Sequence, residues 1–379
     1  MASPHERYME IALRLARRAI GRTSPNPAVG ALIVRHGRIV GRGYHRFAGA
    51  PHAEVEALRR AGSRARGSTL YVTLEPCNHT GRTGPCCEAI IAAGISHVVA
   101  AMTDPNPLTD GRGIARLRRA GVRVTVGVRE RDARQLNEPF CRAMTIGLPL
   151  IIAKIGQSLD GKIATVSGES RWITSPAARR LAHRWRSRVD AILVGSRTVL
   201  RDDPSLTVRR SAPRRPGRPL RIVVDSRLRI PPTARCLAGV SRQPTLIATT
   251  VRSGARGRAL QRRGAEVLTL PAQAGLVPLR ALCRRLARRG VHSILLEGGG
   301  EVLASALNER LVQRIVFFVA PLLLGGRSAP TSVAGSGAAR LSRAVRLADV
   351  SYRRVGPDLC VEARVVYPGK EAGSRRRGQ

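Results

Sequence analysis

Hydrophobic and polar positions along the first 147 residues alternate between the period of strands and that of helices. Ser3 and Glu6 form a capping pattern around Pro4, which predicts a helix that begins there and ends near Ile20. Buried strands are predicted at residues 28–34, 69–74, 97–102 and 122–128, and helices at residues 53–61, 86–93 and 112–120. Strands that alternate with helices in this way are typical of an α/β domain with a largely parallel sheet.

A second series of alternating elements follows a boundary near residues 147–149, where Gly and Pro interrupt the pattern. Its strands are predicted at residues 150–155, 191–194, 221–225, 245–249, 293–297 and 314–320. Composition predicts a surface loop at residues 211–219 and a disordered basic tail at residues 369–379. We therefore expect two domains, over residues 1–147 and 148–368.

The length of 379 residues and the hydrophobic fraction of 43% are typical of a globular protein with room for two cores. The sequence contains no run of about 18 apolar residues, so no transmembrane helix is expected. Glu6 and Glu10 lie where a targeting peptide would be poor in acidic residues. The chain is therefore expected to begin within its fold and to work in the cytoplasm.

The formal net charge of +41 at first suggests nucleic-acid binding. Only Lys154, Lys162 and Lys370 are lysines, and arginine supplies all the rest of the 66 basic residues, spread along the whole chain. A dedicated nucleic-acid surface usually mixes and clusters the two residue types, so the excess is interpreted as a compositional bias. We expect no nucleic-acid ligand, although a positive field would attract phosphorylated small molecules.

A metal site is predicted where three of the seven cysteines lie close together in the sequence. His52, Cys77 and Cys86 would form a three-ligand zinc set that leaves the fourth tetrahedral position open for water. Pro85 can begin the helix that carries Cys86, which would place the thiolate near the positive end of the helix dipole. This ligand set is typical of a catalytic zinc site.

Glu54 follows His52 by two residues, at the predicted start of a helix. A carboxylate there can lie beside the open metal position without binding the metal. It can take a proton from water and pass it to a ring nitrogen and then to ammonia, which is the chemistry of zinc deaminases. Cys87 and His79 are candidates for a fourth ligand, and a site with four protein ligands would be structural instead.

Four segments of the first half resemble the family of bifunctional deaminase/reductases of riboflavin biosynthesis. They are residues 26–30, 52–54, 75–87 and 104–107. The family usually has proline at the position of Gly84, a departure that lies in a loop and leaves the zinc residues unchanged. The residues that the resemblance implies for the pyrimidine and its ribose phosphate are Asn26, His45, His79 and Arg82.

The resemblance continues through the second half, so that it covers nearly the whole chain. Its segments there are residues 154–162, 170–174, 202–209 and 297–301. It implies an N-terminal cytidine-deaminase-like αβα zinc domain and a C-terminal α/β domain similar in fold to dihydrofolate reductase. The implied NADPH-binding residues are Gly156, Trp172, Thr198, Asp202, Gly299, Gly300, Glu301, Val302, Leu303, Ala304 and Ser305. The implied substrate-binding residues are Lys154, Ser170, Arg186, Leu206, Arg209 and Glu297.

Some of these implied roles also have a physical basis. The glycine-rich turn at residues 298–300 lets the backbone approach a phosphate, and a following helix offers free N–H groups, but the turn is no GxGxxG fingerprint. Arg186 and Arg209 could bind a phosphate through two donors each. Lys154 either contacts a substrate oxygen or only ends a strand, and Trp172 either lines the cofactor or packs in a core.

The resemblance implies zinc-dependent deamination of 2,5-diamino-6-(5-phosphoribosylamino)pyrimidin-4(3H)-one and then NADPH-dependent reduction of its ribosyl group to ribityl, in a homo-oligomer. A nucleic-acid deaminase with an appended domain is the first alternative, but it predicts a shorter spacing between the two cysteines. The second alternative is a deaminase with an inactive second domain. The argument against it is that the residues implied for the reductase site are present: Lys154, Asp202, Arg209 and Glu297. A non-enzymatic zinc module would leave Glu54 without a purpose.

Overall fold

The computed structural model describes residues 3–79, 84–208 and 218–369. The chain divides into two compact units, Met1–Leu148 and Pro149–Gln379. Residues 211–217 of the loop predicted over 211–219, and residues 370–379 of the tail predicted over 369–379, lie outside the described residues. Among the helices described, none combines the length and the hydropathy that a membrane crossing requires.

The first unit contains six helices and a five-stranded sheet among its described residues. The helices are α1 (Pro4–Arg17), α2 (Ala53–Ala61), α3 (Cys86–Ala92), α4 (Arg112–Arg119), α5 (Glu130–Leu136) and α6 (Glu138–Ile146). The strands are β1 (Gly30–Arg35), β2 (Arg38–Tyr44), β3 (Thr69–Val72), β4 (His97–Ala100) and β5 (Arg123–Val126), in the spatial order β2-β1-β3-β4-β5.

The sheet of this unit is mixed. The prediction of a largely parallel sheet is therefore wrong for the strands β1 and β2. Strand β1 runs antiparallel to both β2 and β3, whereas β3, β4 and β5 are parallel. The cause is a two-residue turn at His36 and Gly37, both with positive φ, which folds β2 back onto β1 as a hairpin. The strand β2 was not predicted because its small and charged residues show weak alternation.

Helix α1 begins as the capping pattern predicts. The Ser3 hydroxyl accepts a hydrogen bond from the Glu6 amide, and the Glu6 carboxylate accepts one from the Ser3 amide. The helix ends at Arg17, earlier than predicted, and a turn leads to Gly21 at a φ of 77°. Its buried side chains include Met9 and Leu13, which pack against the sheet.

Helix α2 lies unusually close to strand β2 because two glycines of the strand face it. A Cβ atom at Gly41 would lie 2.3 Å from the Ala57 carbonyl oxygen, and one at Gly43 would lie 2.1 Å from the Ala53 carbonyl oxygen. Any larger residue would push the helix away from the sheet. This contact therefore sets the position of the residues at the amino end of α2.

The second unit is built on a nine-stranded sheet. Its strands are β6 (Leu150–Ser158), β7 (Ala191–Gly195), β8 (Leu220–Val224), β9 (Thr245–Thr249), β10 (Glu266–Thr269), β11 (Ser293–Glu297), β12 (Val312–Ala320), β13 (Arg346–Val355) and β14 (Asp358–Val366). Its helices are α7 (Pro176–Arg186), α8 (Ser196–Asp202), α9 (Ala255–Arg262), α10 (Leu279–Arg288) and α11 (Gly300–Asn308). The spatial order of the strands is β10-β9-β8-β7-β11-β6-β12-β14-β13.

Seven strands of this sheet, from β10 to β12, run parallel, and β14 and β13 complete it in antiparallel fashion. The carboxyl ends of parallel strands meet at one edge, where ligands of open α/β sheets bind. Strand β11 lies between β6 and β7, and its register places Glu297 directly opposite Lys154. Two residues far apart in sequence are thus brought together by strand pairing.

The close packing of α2 on β2 predicts that Gly43→Ala destabilises the first unit by about 1–3 kcal/mol. The added methyl group would displace the Ala53 carbonyl and with it the start of α2. We expect a lower urea midpoint for the first unit. Gly254→Ala is the matched control, because no described atom lies within 4 Å of its Cβ position. Equal midpoints for the two variants would contradict the packing argument.

Candidate active sites

Three metal donors converge in the first unit from three separate segments. The Nδ1 atom of His52 lies 3.1 Å from the sulfur of Cys86 and 3.6 Å from that of Cys77. All three donor atoms lie within 4.8 Å of one another, and no other such group of three occurs among the described residues. Zinc bonds of about 2.0–2.3 Å place tetrahedral N and S ligands roughly 3.5–3.8 Å apart, so this donor set fits zinc.

Local structure explains why these three side chains can meet. His52 occupies the N-cap position of α2 but makes no side-chain capping bond, so its ring is available to the metal. Cys86 is the first residue of α3, after Pro85 at the N-cap, as the sequence predicts. The amide of Cys86 donates a hydrogen bond to the sulfur of Cys77 at 3.4 Å, an interaction that stabilises a thiolate.

The two alternative ligands lie elsewhere. The Cys87 thiol is fully buried and donates to the carbonyl oxygens of Pro76 and Gly113, at 3.4 and 3.5 Å. His79 is exposed and lines the cavity beside the donors, but it does not belong to the converging group. The three-ligand arrangement leaves one tetrahedral position for water or substrate, which is typical of a catalytic zinc site.

Glu54 lies beside these donors. Its side chain is 4% exposed and is within hydrogen-bond reach of the Cys86 sulfur. Burial raises the pKa of the Glu54 carboxyl to about 7, with His52 opposing the rise. A group that titrates near neutrality can both take up and release a proton, which suits a general acid and base.

A cavity of about 370 Å³ opens over the donors, large enough for a pyrimidine with part of its substituent. Asn26, His45 and His79 line it, as the family resemblance implies for substrate contacts. Arg82 lies outside the described residues. Asp104 and Asn106 also line the cavity, although sequence reasoning assigned them no role beyond the motif that contains them.

His45 supports Asn26 through a chain of hydrogen bonds. The ring Nδ1 of His45 lies 3.2 Å from the Pro51 carbonyl oxygen, so it must donate, and Nε2 is then the acceptor for the Asn26 amide at 3.2 Å. Burial lowers the pKa of His45, which favours this neutral form. The remaining oxygen of the Asn26 amide is therefore available to accept a hydrogen bond from a ligand.

Asn137 fixes the same wall, and sequence reasoning missed it. Its side chain is 3% exposed and pairs with both backbone groups of Ala28, at 2.8 Å from the amide and 3.0 Å from the carbonyl. The two residues are 109 positions apart, and a lone Asn at the junction of α5 and α6 carries no recognisable signal. Only the packing of α5 and α6 brings it to the backbone of Ala28, which adjoins the cavity residues Pro27 and Val29.

The second unit holds a group of charges around the buried Glu297, at the carboxyl end of β11. Arg186 donates two hydrogen bonds to the Glu297 carboxylate, at 2.7 and 2.6 Å, and Lys154 lies 3.6 Å from the same carboxylate. Burial alone would raise the pKa of Glu297, but Arg186 and Lys154 outweigh it and lower the pKa to about 2. Burial lowers the pKa of Lys154, with Glu297 opposing.

The other contacts of Arg186 limit its predicted role in binding a phosphate. Its remaining Nη1 donates to the Thr207 carbonyl at 2.9 Å, so the guanidinium is already engaged on all three nitrogens. Leu206, at a φ of 51°, precedes this carbonyl and is 2% exposed. Arg209 lies outside the described residues. A direct substrate contact by Arg186 therefore stays a prediction.

A glycine-rich turn joins β11 to α11 and offers a phosphate cradle. Gly298 and Gly299 have φ values of 72° and 81°, and the N-cap Gly299 makes no side-chain capping bond. The first-turn N–H groups of α11 are therefore available to an anion. Thr198 approaches this turn: its hydroxyl would lie 3.3 Å from a Cβ atom at Gly299. These features fit the pyrophosphate of a dinucleotide.

Most residues predicted for NADPH lie together around a cavity of about 1480 Å³. Those in its wall are Gly156, Trp172, Thr198, Asp202, Gly299, Gly300, Glu301, Val302 and Ser305, and the predicted substrate residues Lys154, Ser170, Arg186, Leu206 and Glu297 join them. Leu303 and Ala304 are instead buried in the core, at 1% and 6% exposure. Trp172 is 62% exposed, so the structure excludes a core-packing role. Ser170 donates to Asp202 at 2.9 Å.

The fold and the two sites define the chain as a zinc-dependent deaminase joined to an NADPH-dependent reductase. A family model described as the cytidine and deoxycytidylate deaminase zinc-binding region matches residues 2–102, and that of the RibD C-terminal domain matches residues 149–361. The chain belongs to the RibD family, the bifunctional deaminase/reductases of riboflavin biosynthesis.

Similar proteins support this assignment over nearly the whole chain. The riboflavin biosynthesis protein RibD of Escherichia coli is 44% identical, over 94% of this chain and 98% of its own length. The structure of RibD from Acinetobacter baumannii has a TM-score of 0.87 at 36% identity and covers 96% of this chain and 99% of its own. A Thermotoga maritima structure described as a diaminohydroxyphosphoribosylaminopyrimidine deaminase/5-amino-6-(5-phosphoribosylamino)uracil reductase has a TM-score of 0.82 at 31% identity, with coverage of 95% and 98%.

The adjacent cysteines at the start of α3 give a matched test of the metal site. We expect Cys86→Ser to lose bound zinc, because one of its three ligands is replaced by a poorer one. Cys87→Ser should keep one zinc per chain, since its side chain points to two carbonyl oxygens instead. Metal analysis of the purified variants measures both outcomes. Zinc loss in Cys87→Ser with the fold intact would contradict the three-ligand assignment.

Proposed function

We propose that the first unit deaminates 2,5-diamino-6-(5-phosphoribosylamino)pyrimidin-4(3H)-one by hydrolysis. The second unit then reduces the ribosyl group of the product to ribityl with NADPH, which yields 5-amino-6-(5-phosphoribitylamino)uracil. The observation that carries the proposal is the buried Glu54 beside three metal donors. The Thermotoga maritima structure, whose description names both activities, supports this choice of substrate. We also propose the cytoplasm as compartment and a homo-oligomer as assembly.

In the deaminase site, bound zinc supplies a Lewis acid that activates water at neutral pH. We assign His52, Cys77 and Cys86 as its ligands. Glu54 takes a proton from the attacking water and delivers it to the ring nitrogen next to the amino-bearing carbon. It then carries a second proton to the departing amino group, so that ammonia leaves and a carbonyl remains. Asn26, held by His45, accepts a hydrogen bond from the ring.

In the reductase site, bound NADPH supplies a hydride for C1′ of the ribose. We assign the turn at Gly299 and the amino end of α11 to its pyrophosphate, as the uncapped helix suggests. Lys154 is a partly buried cation whose pKa burial lowers, and we assign to it the proton that the released ring oxygen requires. Glu297 holds Lys154 in place, and Arg186 holds Glu297.

A coupled assay on the purified, zinc-loaded chain tests the proposal. The phosphoribosylated diaminopyrimidinone is supplied first without NADPH, and ammonia is measured; NADPH is then added and its oxidation is followed. Ammonia release followed by oxidation is the expected result. Ammonia without oxidation would leave a deaminase with an inactive second unit. Absence of ammonia release from the zinc-loaded protein would contradict the proposed substrate and would favour a nucleic-acid substrate instead.

Glu54→Gln should keep one zinc per chain but lower ammonia release by at least about a hundredfold, because the amide cannot carry protons. Reduction of the already deaminated intermediate should stay near the wild-type rate. Metal analysis and the two half-assays measure these outcomes. Loss of zinc from this variant would instead indicate that Glu54 is a metal ligand.

Glu297→Gln should have the opposite pattern, with reduction impaired and ammonia release intact. The change leaves Arg186 and Lys154 without their buried counter-charge, and breaking such a pair costs about 3–5 kcal/mol. We expect a lower unfolding midpoint for the second unit together with loss of NADPH oxidation. Parallel loss of both activities in a folded variant would contradict the assignment of separate sites.

A further inference from the structure

Glu75 is a buried carboxylate that the proposed chemistry does not use. It follows strand β3 and is 3% exposed. One carboxylate oxygen accepts hydrogen bonds from the amides of Asp104 at 3.0 Å and Gly111 at 2.9 Å. The other accepts one from the amide of Ile114 at 3.1 Å. Three backbone donors from one distant segment thus converge on a single side chain.

Two of these donors belong to the amino end of α4. Gly111 is the N-cap residue of that helix, and it supplies no side-chain capping bond of its own. The free N–H groups and the positive end of the helix dipole favour an anion there. Glu75 therefore caps a helix that lies 36 or more residues further along the chain.

The contact is supported by close backbone packing next to it. A Cβ atom at Gly113 would lie 2.0 Å from the carbonyl oxygen of Pro76, so glycine is needed for the two segments to approach. The buried thiol of Cys87 donates to the carbonyl oxygens of both Pro76 and Gly113. The turn that carries Cys77 and the start of α4 are thus joined at several points.

The joined segments form two parts of the deaminase cavity. Cys77 follows Glu75 by two residues, and Asp104 and Asn106 line the same cavity. The carboxylate of Asp104 accepts a hydrogen bond from the Asn106 amide at 2.9 Å, so these two residues form one small turn. The bond from Glu75 to the Asp104 amide therefore fixes that turn relative to the metal ligand.

We propose that Glu75 is a positioning residue for the deaminase: it holds the Asp104–Asn106 wall of the substrate cavity at a set distance from the zinc ligand Cys77. This inference rests on the proposed function, because it takes the cavity as the pyrimidine site. Glu75 itself also lines the cavity, but both of its carboxylate oxygens accept hydrogen bonds from backbone amides, so it acts through the backbone of the wall. Displacement of a substrate-positioning element by about 1 Å can cost on the order of a hundredfold in kcat/KM.

Glu75→Gln tests the proposal, because the amide keeps the size of the side chain but turns one acceptor into a donor that faces backbone N–H groups. We expect the KM for the phosphoribosylated diaminopyrimidinone to rise at least about tenfold, with a smaller change in kcat. Zinc should remain at one per chain. Reduction of 5-amino-6-(5-phosphoribosylamino)uracil should be unchanged, since that site lies in the other unit.

Glu88→Gln is the matched control. Glu88 joins α3 to α4 through two hydrogen bonds from Arg116, at 2.8 and 2.9 Å. It is exposed, and these contacts involve neither the Asp104–Asn106 wall of the cavity nor the turn that carries Cys77. We expect its KM and kcat to stay within about twofold of wild type. A surface pair of this kind contributes little to stability.

Several results would overturn the proposal. Wild-type KM and kcat in Glu75→Gln would do so, and so would full recovery of that variant on addition of zinc, because the defect would then be metal retention. If the variant does not fold, hydrogen exchange on the wild-type protein decides: the amides of Asp104 and Gly111 should exchange slowly, and exchange at the rate of free peptide would overturn the assignment. Absence of ammonia release by the wild type would instead contradict the proposed function, which separates the two failures.

Discussion

A carboxylate that is buried must find a partner for its charge or lose the charge, and three glutamates of this chain meet that constraint in three ways. Glu297 is paired with two cations, so its pKa is held near 2 and it stays ionised. Glu75 is satisfied by three backbone amides and serves geometry. Burial raises the pKa of Glu54 to about 7 against the opposing effect of His52, which suits a group that exchanges protons. The same residue type thus serves as a permanent counter-charge, as an acceptor that positions the backbone, or as an acid–base group, according to its partners.

The basic residues show a related division. Arginine dominates the composition, yet one of the three lysines lies in the reductase site. An arginine keeps its proton in any protein environment, whereas the pKa of a buried lysine can fall far enough for it to give a proton up. Arg186 is suited to hold Glu297 through a planar two-bond contact, and Lys154 is suited to donate. Buried Arg221 serves structure alone: it donates to the backbone carbonyls of Ala238 and Gln243.

The predictions of secondary structure that were wrong or incomplete concern turns and strands that the local pattern of apolar and polar residues does not encode. The hairpin that makes the first sheet mixed depends on two consecutive positive φ values at His36 and Gly37, and strand β2 alternates too weakly to be recognised. Strands β10, β13 and β14 were missed as well. Most positions of β13 are exposed, so no apolar period survives there, and β10 has only four residues with a polar one at each end. In β14 burial does alternate, but Asp358 is among its buried residues, so the alternation is weak in the sequence. Where a strand is buried throughout, as in β9 and β11, or a helix buries one face, as in α2, the predicted bounds agree with the structure.

By itself, the sequence determined the ligand types and their order along the chain. His52, Glu54, Cys77 and Cys86 are recognisable because a catalytic zinc site needs two kinds of donor and a carboxylate at short, fixed spacings around helix starts. Only the tertiary structure decided that Cys87 points to two backbone carbonyl oxygens and does not join the other donors, that His45 contacts Asn26, and that Asn137 and Glu75 bind backbone segments next to the cavity. It also decided that Arg186 is committed to Glu297. These relations depend on hydrogen bonds between residues that are dozens of positions apart in the sequence. Strand order and helix packing bring such residues together, and no local spacing in the sequence records either of them.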